Sequence, residues 1–139
     1  MKSLKQFVSA TIFAALACAG LHAQTVDMRA TIPFDFHAGD KLMPAGEYAI
    51  HEQGDMVIVR STNGGEPALI SLTYGTTAGG RPGPARLDFD SYGSEYFLAE
   101  IWRPYNPEAR ALPKTAREKE LARRLNVPVK ATITVASTK

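Results

Sequence analysis

The chain has 139 residues, with 16 Lys and Arg against 14 Asp and Glu, a formal net charge of +2, and one cysteine. This length fits one folded domain, and it leaves no room for a second core. The near balance of charge gives no electrostatic basis for the capture of nucleic acid.

The N-terminus has the pattern of a secretory signal peptide. Lys2 and Lys5 form a basic start, an apolar stretch follows over residues 7–17, and Ala23 is a small residue that precedes Gln24. These three features in this order are typical of a segment that directs export and is then removed. We therefore expect residues 1–23 to be the signal peptide, with cleavage between Ala23 and Gln24.

A lipid anchor at Cys18 is the alternative to a soluble exported form. Residues 15–18 (ALAC) resemble a bacterial lipobox, although the leucine stands one place too close to the cysteine. The favoured cut instead leaves residues 24–139 without cysteine, which excludes disulfides and thiol catalysis. It also leaves equal numbers of basic and acidic residues. We expect a periplasmic or extracellular domain with no transmembrane span, because no other apolar run is long enough.

Alternating apolar and polar residues predict a series of short antiparallel strands. In the first, Met28 to Phe36 places every second, apolar residue on one face. Similar patterns occupy residues 47–52, 56–61, 68–75, 85–93, 96–104 and 129–137. Turn-forming Gly, Pro, Asn and Asp separate them. The residues after the signal peptide, 24–139, are therefore predicted to form a single all-β domain, a small sandwich or partly closed barrel of about seven strands.

One short peripheral helix is predicted near residues 115–125. Thr115 to Glu118 has the form of a capping box, and Pro113 prevents an earlier start. Glu120 and Arg124 are spaced for an i,i+4 ion pair. An apolar stripe that includes Leu125 is expected to face the sheet.

Signals for catalysis are sparse. Asp35 and His37 lie on one face of a predicted strand, as an acid–base pair would require, but the pattern favours two solvent-facing side chains. His51 is the other candidate base, beside Glu52. A small secreted hydrolase that combines His37 or His51 with surface carboxylates is therefore the alternative to a non-catalytic role. The carboxylates in question are Asp88, Asp90, Glu95 and Glu100.

No metal or other cofactor is predicted. Residues 88–93 carry Asp and Gly where a calcium-binding loop needs them, but Ala99 stands where such a loop requires a bidentate glutamate. Asp88 and Asp90 are therefore interpreted as solvent-facing carboxylates before a hairpin turn. The glycines between residues 76 and 84 precede a strand, whereas a phosphate-binding glycine loop precedes a helix.

Aromatic residues near residue 102 give the best binding hypothesis. Trp102, Arg103 and Tyr105 leave a strand in a proline-interrupted segment, and exposed rings with an arginine can stack on sugars or on a protein partner. The alternative is that Trp102 lies in the core and Tyr105 covers an edge. The strand before them is predicted to place Phe97 and Ile101 on the same face.

Several segments together resemble a group of small exported bacterial proteins. The similarity rests on residues 32–36 (IPFDF), Gly39, residues 43–48 (MPAGEY), residues 91–102 (SYGSEYFLAEIW) and residues 112–123 (LPKTAREKELAR). The resemblance implies a secreted β-rich domain with a late helix, and it carries over no catalytic or binding residues. We expect a non-catalytic binding or structural module of the cell envelope, with an envelope protein or glycan as its partner.

Overall fold

The computed structural model describes residues 26–63, 69–77, 81–125 and 128–137. The predicted cleavage site between Ala23 and Gln24, and the lipobox-like Cys18, lie outside these residues.

The described residues form twelve strands and one helix. Seven strands have four residues or more: β1 (Val26–Ile32), β4 (Gly46–Gln53), β5 (Met56–Ser61), β6 (Leu69–Leu72), β8 (Arg86–Tyr92), β9 (Glu95–Trp102) and β11 (Val129–Thr134). Five are shorter: β2 (Phe36–Ala38), β3 (Lys41–Met43), β7 (Tyr74–Thr76), β10 (Ala109–Ala111) and β12 (Ala136–Ser137). The helix α1 is Ala116–Leu125. The predicted all-β class with one short helix is confirmed; segments of two or three residues are too short to show alternation, so the predicted strand count was lower.

The strands form two sheets that are not closed into a barrel. The five-stranded sheet has the order β12-β1-β4-β5-β6, and the seven-stranded sheet has the order β11-β8-β9-β10-β7, with β2 beside β9 and β3 beside β2. The chain passes between the sheets four times: where β1 gives way to β2, β3 to β4, β6 to β7 and β11 to β12. Pro33 lies at the first passage, which divides the single strand predicted from Met28 to Phe36, because proline cannot donate a ladder hydrogen bond.

The core lies between the two sheets. Fully buried apolar side chains from both contribute: Met28, Ile32, Tyr48, Ile50, Val57 and Val59 from one, and Phe36, Leu87, Phe89 and Ile101 from the other. Phe36 joins the layers, since its ring meets the edge of Tyr48 at 5.1 Å and of Phe89 at 5.5 Å between centroids. Burial of each such side chain contributes about 1.5–3 kcal/mol to the free energy of folding.

A β-bulge in β9 breaks the predicted alternation. Ala99 is the extra residue, because its neighbours Leu98 and Glu100 pair with consecutive residues of β8. Leu98 and Ile101 therefore both join the core, while Phe97 packs on the opposite face with Tyr92. The prediction that Phe97 and Ile101 share a face was wrong, because one inserted residue reverses the alternation.

Helix α1 lies against the outer face of the seven-stranded sheet. Its start is as predicted, since the Thr115 hydroxyl accepts a hydrogen bond from the Glu118 amide at 3.2 Å. Glu120 and Arg124 form the expected ion pair at 2.9 Å. The expected apolar stripe is only partly correct: Leu125 is exposed, and Glu118 is the buried residue of the helix. The sheet beneath the helix offers polar partners, so a carboxyl group is accommodated there.

Candidate functional site

Trp102, the centre of the predicted aromatic patch, does not offer its ring to a ligand. The residue is only 1% exposed. Its indole Nε1 donates to Asp88 Oδ2 at 3.0 Å and to Glu100 Oε2 at 3.1 Å. The Arg86 guanidinium lies 4.3 Å from the ring centroid. Both the polar edge and one face of the ring are therefore engaged within the protein, as in the alternative that placed Trp102 in the interior.

Arg103 and Tyr105 do not form a shared surface with that ring. Arg103 Nε lies 3.2 Å from Oε2 of Glu52, a carboxylate that is buried at the end of the sandwich. Burial raises the pKa of Glu52, and the positive charges of Arg103 and Arg110 oppose this shift. Tyr105 is 76% exposed. Of the three predicted binding residues, Tyr105 alone presents an exposed aromatic ring.

Asp35, which lies just before β2, and His37, which lies in β2, have separate structural partners. Asp35 Oδ1 accepts a hydrogen bond from the Ala45 amide at 2.8 Å and so joins the two ends of the β2–β3 hairpin. The His37 ring stacks on Phe97 with 4.5 Å between centroids, and its Nε2 lies 3.7 Å from Glu95 Oε1. These contacts favour a structural role for both residues.

His51 contacts a carboxylate that is not among the candidates predicted from the sequence. Its Nδ1 meets Asp27 Oδ1, and the two residues are paired across β1 and β4. The predicted neighbour, Glu52, is adjacent in the chain but points into the interior. A strand alignment that matched the outward faces of β1 and β4 would have found Asp27. A carboxylate on Nδ1 fixes the ring orientation and leaves Nε2 directed elsewhere.

A cavity of about 470 Å³ lies over this pair on the outer face of the five-stranded sheet. Its lining residues come from β1, β4 and β5: Asp27, Arg29, Ala49, His51, Ile58 and Arg60 are among them. Small-molecule sites commonly occupy about 300–1,000 Å³ and combine an apolar surface with a few converging polar groups. The cavity therefore has the size and the mixed lining of a ligand site.

A second polar site lies beneath α1. Asp90 is 3% exposed and Glu118 is 4% exposed. The Tyr92 hydroxyl donates to Glu118 Oε1 at 3.3 Å, and Lys130 Nζ lies 2.7 Å from Asp90 Oδ1. Burial, followed by the negative charge of Asp90, raises the pKa of Glu118 to about 7, while Lys114 opposes the shift. Burial and these two carboxylates also raise the pKa of Tyr92 to about 12.

The predicted solvent exposure of Asp90 is therefore wrong, and Asp88 is also engaged. Asp88 accepts hydrogen bonds from Trp102 and, at 2.9 Å, from the Thr132 hydroxyl. Helix α1 lies over this face, and side chains of the neighbouring strand β11 contact both carboxylates, which the local strand pattern does not reveal. A cavity of about 210 Å³ remains beside Glu100, Lys114 and Lys130. Lys130 pairs with Asp90, Glu100 accepts from Trp102 and Glu118 accepts from Tyr92, so most charged groups of this site are already engaged and it is less open to a ligand than the first.

Within the described ranges, no group of three or more His, Cys, Asp or Glu residues is placed to hold a metal ion. The same residues include no helix with the length and apolar character that a membrane crossing requires. Comparison of the chain with protein-family models, curated proteins and solved structures gives no match.

Proposed function

We propose that the protein is an exported, non-catalytic binding module of the cell envelope. The signal-peptide pattern of residues 1–23 supports export. The observation that carries the binding role is the cavity of about 470 Å³ on the outer face of the five-stranded sheet. Side chains of Arg29, His51 and Arg60 line it together with the small Ala49.

The strands beneath this cavity form a firm support. β1 pairs with β4 over seven residue pairs, and β4 pairs with β5 over six. Directly behind them, Met28, Ile50 and Val57 are fully buried in the core. Because the backbone positions are fixed before a ligand arrives, little ordering is needed on binding. An envelope glycan or an envelope protein segment is the partner class that we propose.

Blocking the cavity tests this function. Ala49 is half-buried between two arginines, so Ala49→Trp fills the space while it retains a side chain that strands accept. Thr134→Trp is the matched control, because Thr134 is an exposed strand residue of the other sheet. The exported protein and both variants are used to capture components of envelope extracts. We expect Ala49→Trp to lose a component that the wild type and Thr134→Trp retain. Equal recovery by all three contradicts the proposal.

A secreted hydrolase is the second candidate, and the contact between Asp27 and His51 favours it. A carboxylate on Nδ1 is the arrangement that orients a histidine so that Nε2 can act as a base. A screen of ester, phosphoester and glycoside substrates would compare His51→Gln with His37→Gln, whose parent ring stacks on Phe97. Activity that His51→Gln abolishes and His37→Gln retains would replace the non-catalytic proposal.

A further inference from the structure

Two arginines flank one small residue on the outer face of the five-stranded sheet. Ala49 of β4 is paired with Arg29 of β1 on one side and with Arg60 of β5 on the other. Neighbouring strands lie about 4.8 Å apart, so the two arginine Cα atoms are separated by roughly 10 Å. Both arginine side chains are exposed, and Ala49 leaves the space between them open. Two guanidinium groups can therefore reach one ligand group above Ala49.

Among the residues that the structure describes, none firmly neutralises the charges of this row, which consists of Arg29, Ala49 and Arg60. Arg60 forms no ion pair with any described residue. Arg29 lies 3.9 Å from Glu47 Oε1, and both partners are largely exposed. Exposed pairs of this kind contribute little. The acidic residue of the cavity, Asp27, is already in contact with His51. The row therefore retains positive charge that an anion can use.

The geometry of the row favours phosphate over carboxylate. A guanidinium group donates two parallel hydrogen bonds, and one such group occupies the open edge of a carboxylate, whose opposite side carries its carbon substituent. A phosphate monoester has three terminal oxygens, so it can accept from two guanidinium groups that approach from opposite sides. Arginines on both sides of a small residue match this second arrangement.

We propose that this cavity binds a phosphate group, which Arg29 and Arg60 hold from opposite sides of Ala49. This inference rests on the proposed function, since it names the chemistry of the ligand at the same site. A phosphorylated envelope glycan and a phospholipid headgroup carry the same group, and a lipid would replace the glycan or protein as the partner at this cavity. The test therefore includes both sources.

Binding of inorganic phosphate and glycerol phosphate is measured by calorimetry and by amide shifts in NMR spectra. The variants are Arg29→Gln and Arg60→Gln. Arg123→Gln is the matched control, because Arg123 is an exposed arginine of α1 on the other sheet. Loss of one charge-assisted pair of hydrogen bonds should weaken binding about tenfold or more, whereas the control should change it less than about twofold. Absence of saturable binding to the wild type in all arms, or an equal loss in the control, overturns the inference.

Vesicles separate the two sources of phosphate. Sedimentation with phosphatidylglycerol vesicles that Arg60→Gln abolishes, and that phosphatidylcholine vesicles do not support, assigns the site to a lipid headgroup. Binding of glycerol phosphate without sedimentation assigns it to a soluble ligand. If an envelope component is lost with Ala49→Trp but kept by both arginine variants, the proposed function stands and the phosphate inference fails. If phosphate binds at the arginines but Ala49→Trp loses no envelope component, the proposed function fails instead.

Discussion

Replacement of Glu118 by glutamine should stabilise the protein at alkaline pH and leave its stability in acid nearly unchanged. The carboxyl group lies buried between Asp90 and Tyr92, where its protonated form donates to Asp90. This hydrogen bond persists in Glu118→Gln, because the side-chain amide of the variant donates to Asp90 and accepts from Tyr92 in the same way. The variant therefore keeps the contacts of the protonated acid and removes the titration.

The magnitude follows from the raised pKa. The pKa of Glu118 rises from 4.5 to about 7, chiefly through burial. Below pH 4.5 the side chain is protonated in both the folded and the unfolded chain, and it affects stability little. Between these values the unfolded chain releases the proton while the folded chain retains it, so stability falls as the pH rises. Above about pH 7 the loss reaches its full value, at most about 3 kcal/mol.

Urea unfolding at about pH 4, 6 and 8 measures this effect. The difference between Glu118→Gln and the wild type should grow through this series. Glu120→Gln is the matched control on the same helix, since Glu120 is exposed and pairs with Arg124. Its effect should stay within about 0.5 kcal/mol at about pH 6 and 8. A gain for Glu118→Gln that does not change with pH, or a loss at about pH 8, would refute this account of the buried carboxyl.

Three further changes should lower the midpoint of urea unfolding. Trp102→Phe removes the indole N–H that donates to Asp88 and Glu100, and it should lower the free energy of unfolding by about 1–3 kcal/mol. An unchanged midpoint would show that these two carboxylates need no hydrogen-bond donor. Thr115→Ala removes the N-cap of α1 and should cost about 1 kcal/mol, whereas Thr115→Ser should not. Gly54→Ala places a side chain at φ +59° in open space and should cost about 1–2 kcal/mol, from backbone strain alone.

The main elements of the fold could be predicted because they depend on local patterns. Alternation indicated the longer strands, and Thr115 indicated the start of α1. The faces of β9 could not be predicted, because the insertion at Ala99 is defined only by the pairing with β8. The burial of Asp90 depends on a helix that begins 26 residues later in the chain. Long-range packing, rather than the local sequence, decided both features.

The candidate site was harder to predict than the fold. Aromatic character favoured Trp102, which the structure buries, and Glu52, the chain neighbour of the candidate base His51, is buried as well. The groups at the larger cavity come from three strands, and two of the pairs that the register forms there, Asp27 with His51 and Ala49 with Arg60, are at least 11 positions apart in the chain. Arg29 and Arg60 are ordinary outward strand residues until the register places both beside Ala49.

The carboxylates of this protein are engaged by internal partners. This favours a protein that binds a ligand through its exposed arginines over an enzyme that uses its carboxylates as catalytic acids. Asp88 accepts from Trp102 and Thr132, Asp90 meets Lys130, and Glu118 accepts from Tyr92. A substrate would have to displace these contacts and desolvate charges that are already buried, which is unfavourable. On the opposite face, a ligand has only to replace water around exposed guanidinium groups. A ligand can use charge that is exposed and at most weakly paired, and beside this cavity the described residues Arg29 and Arg60 supply it.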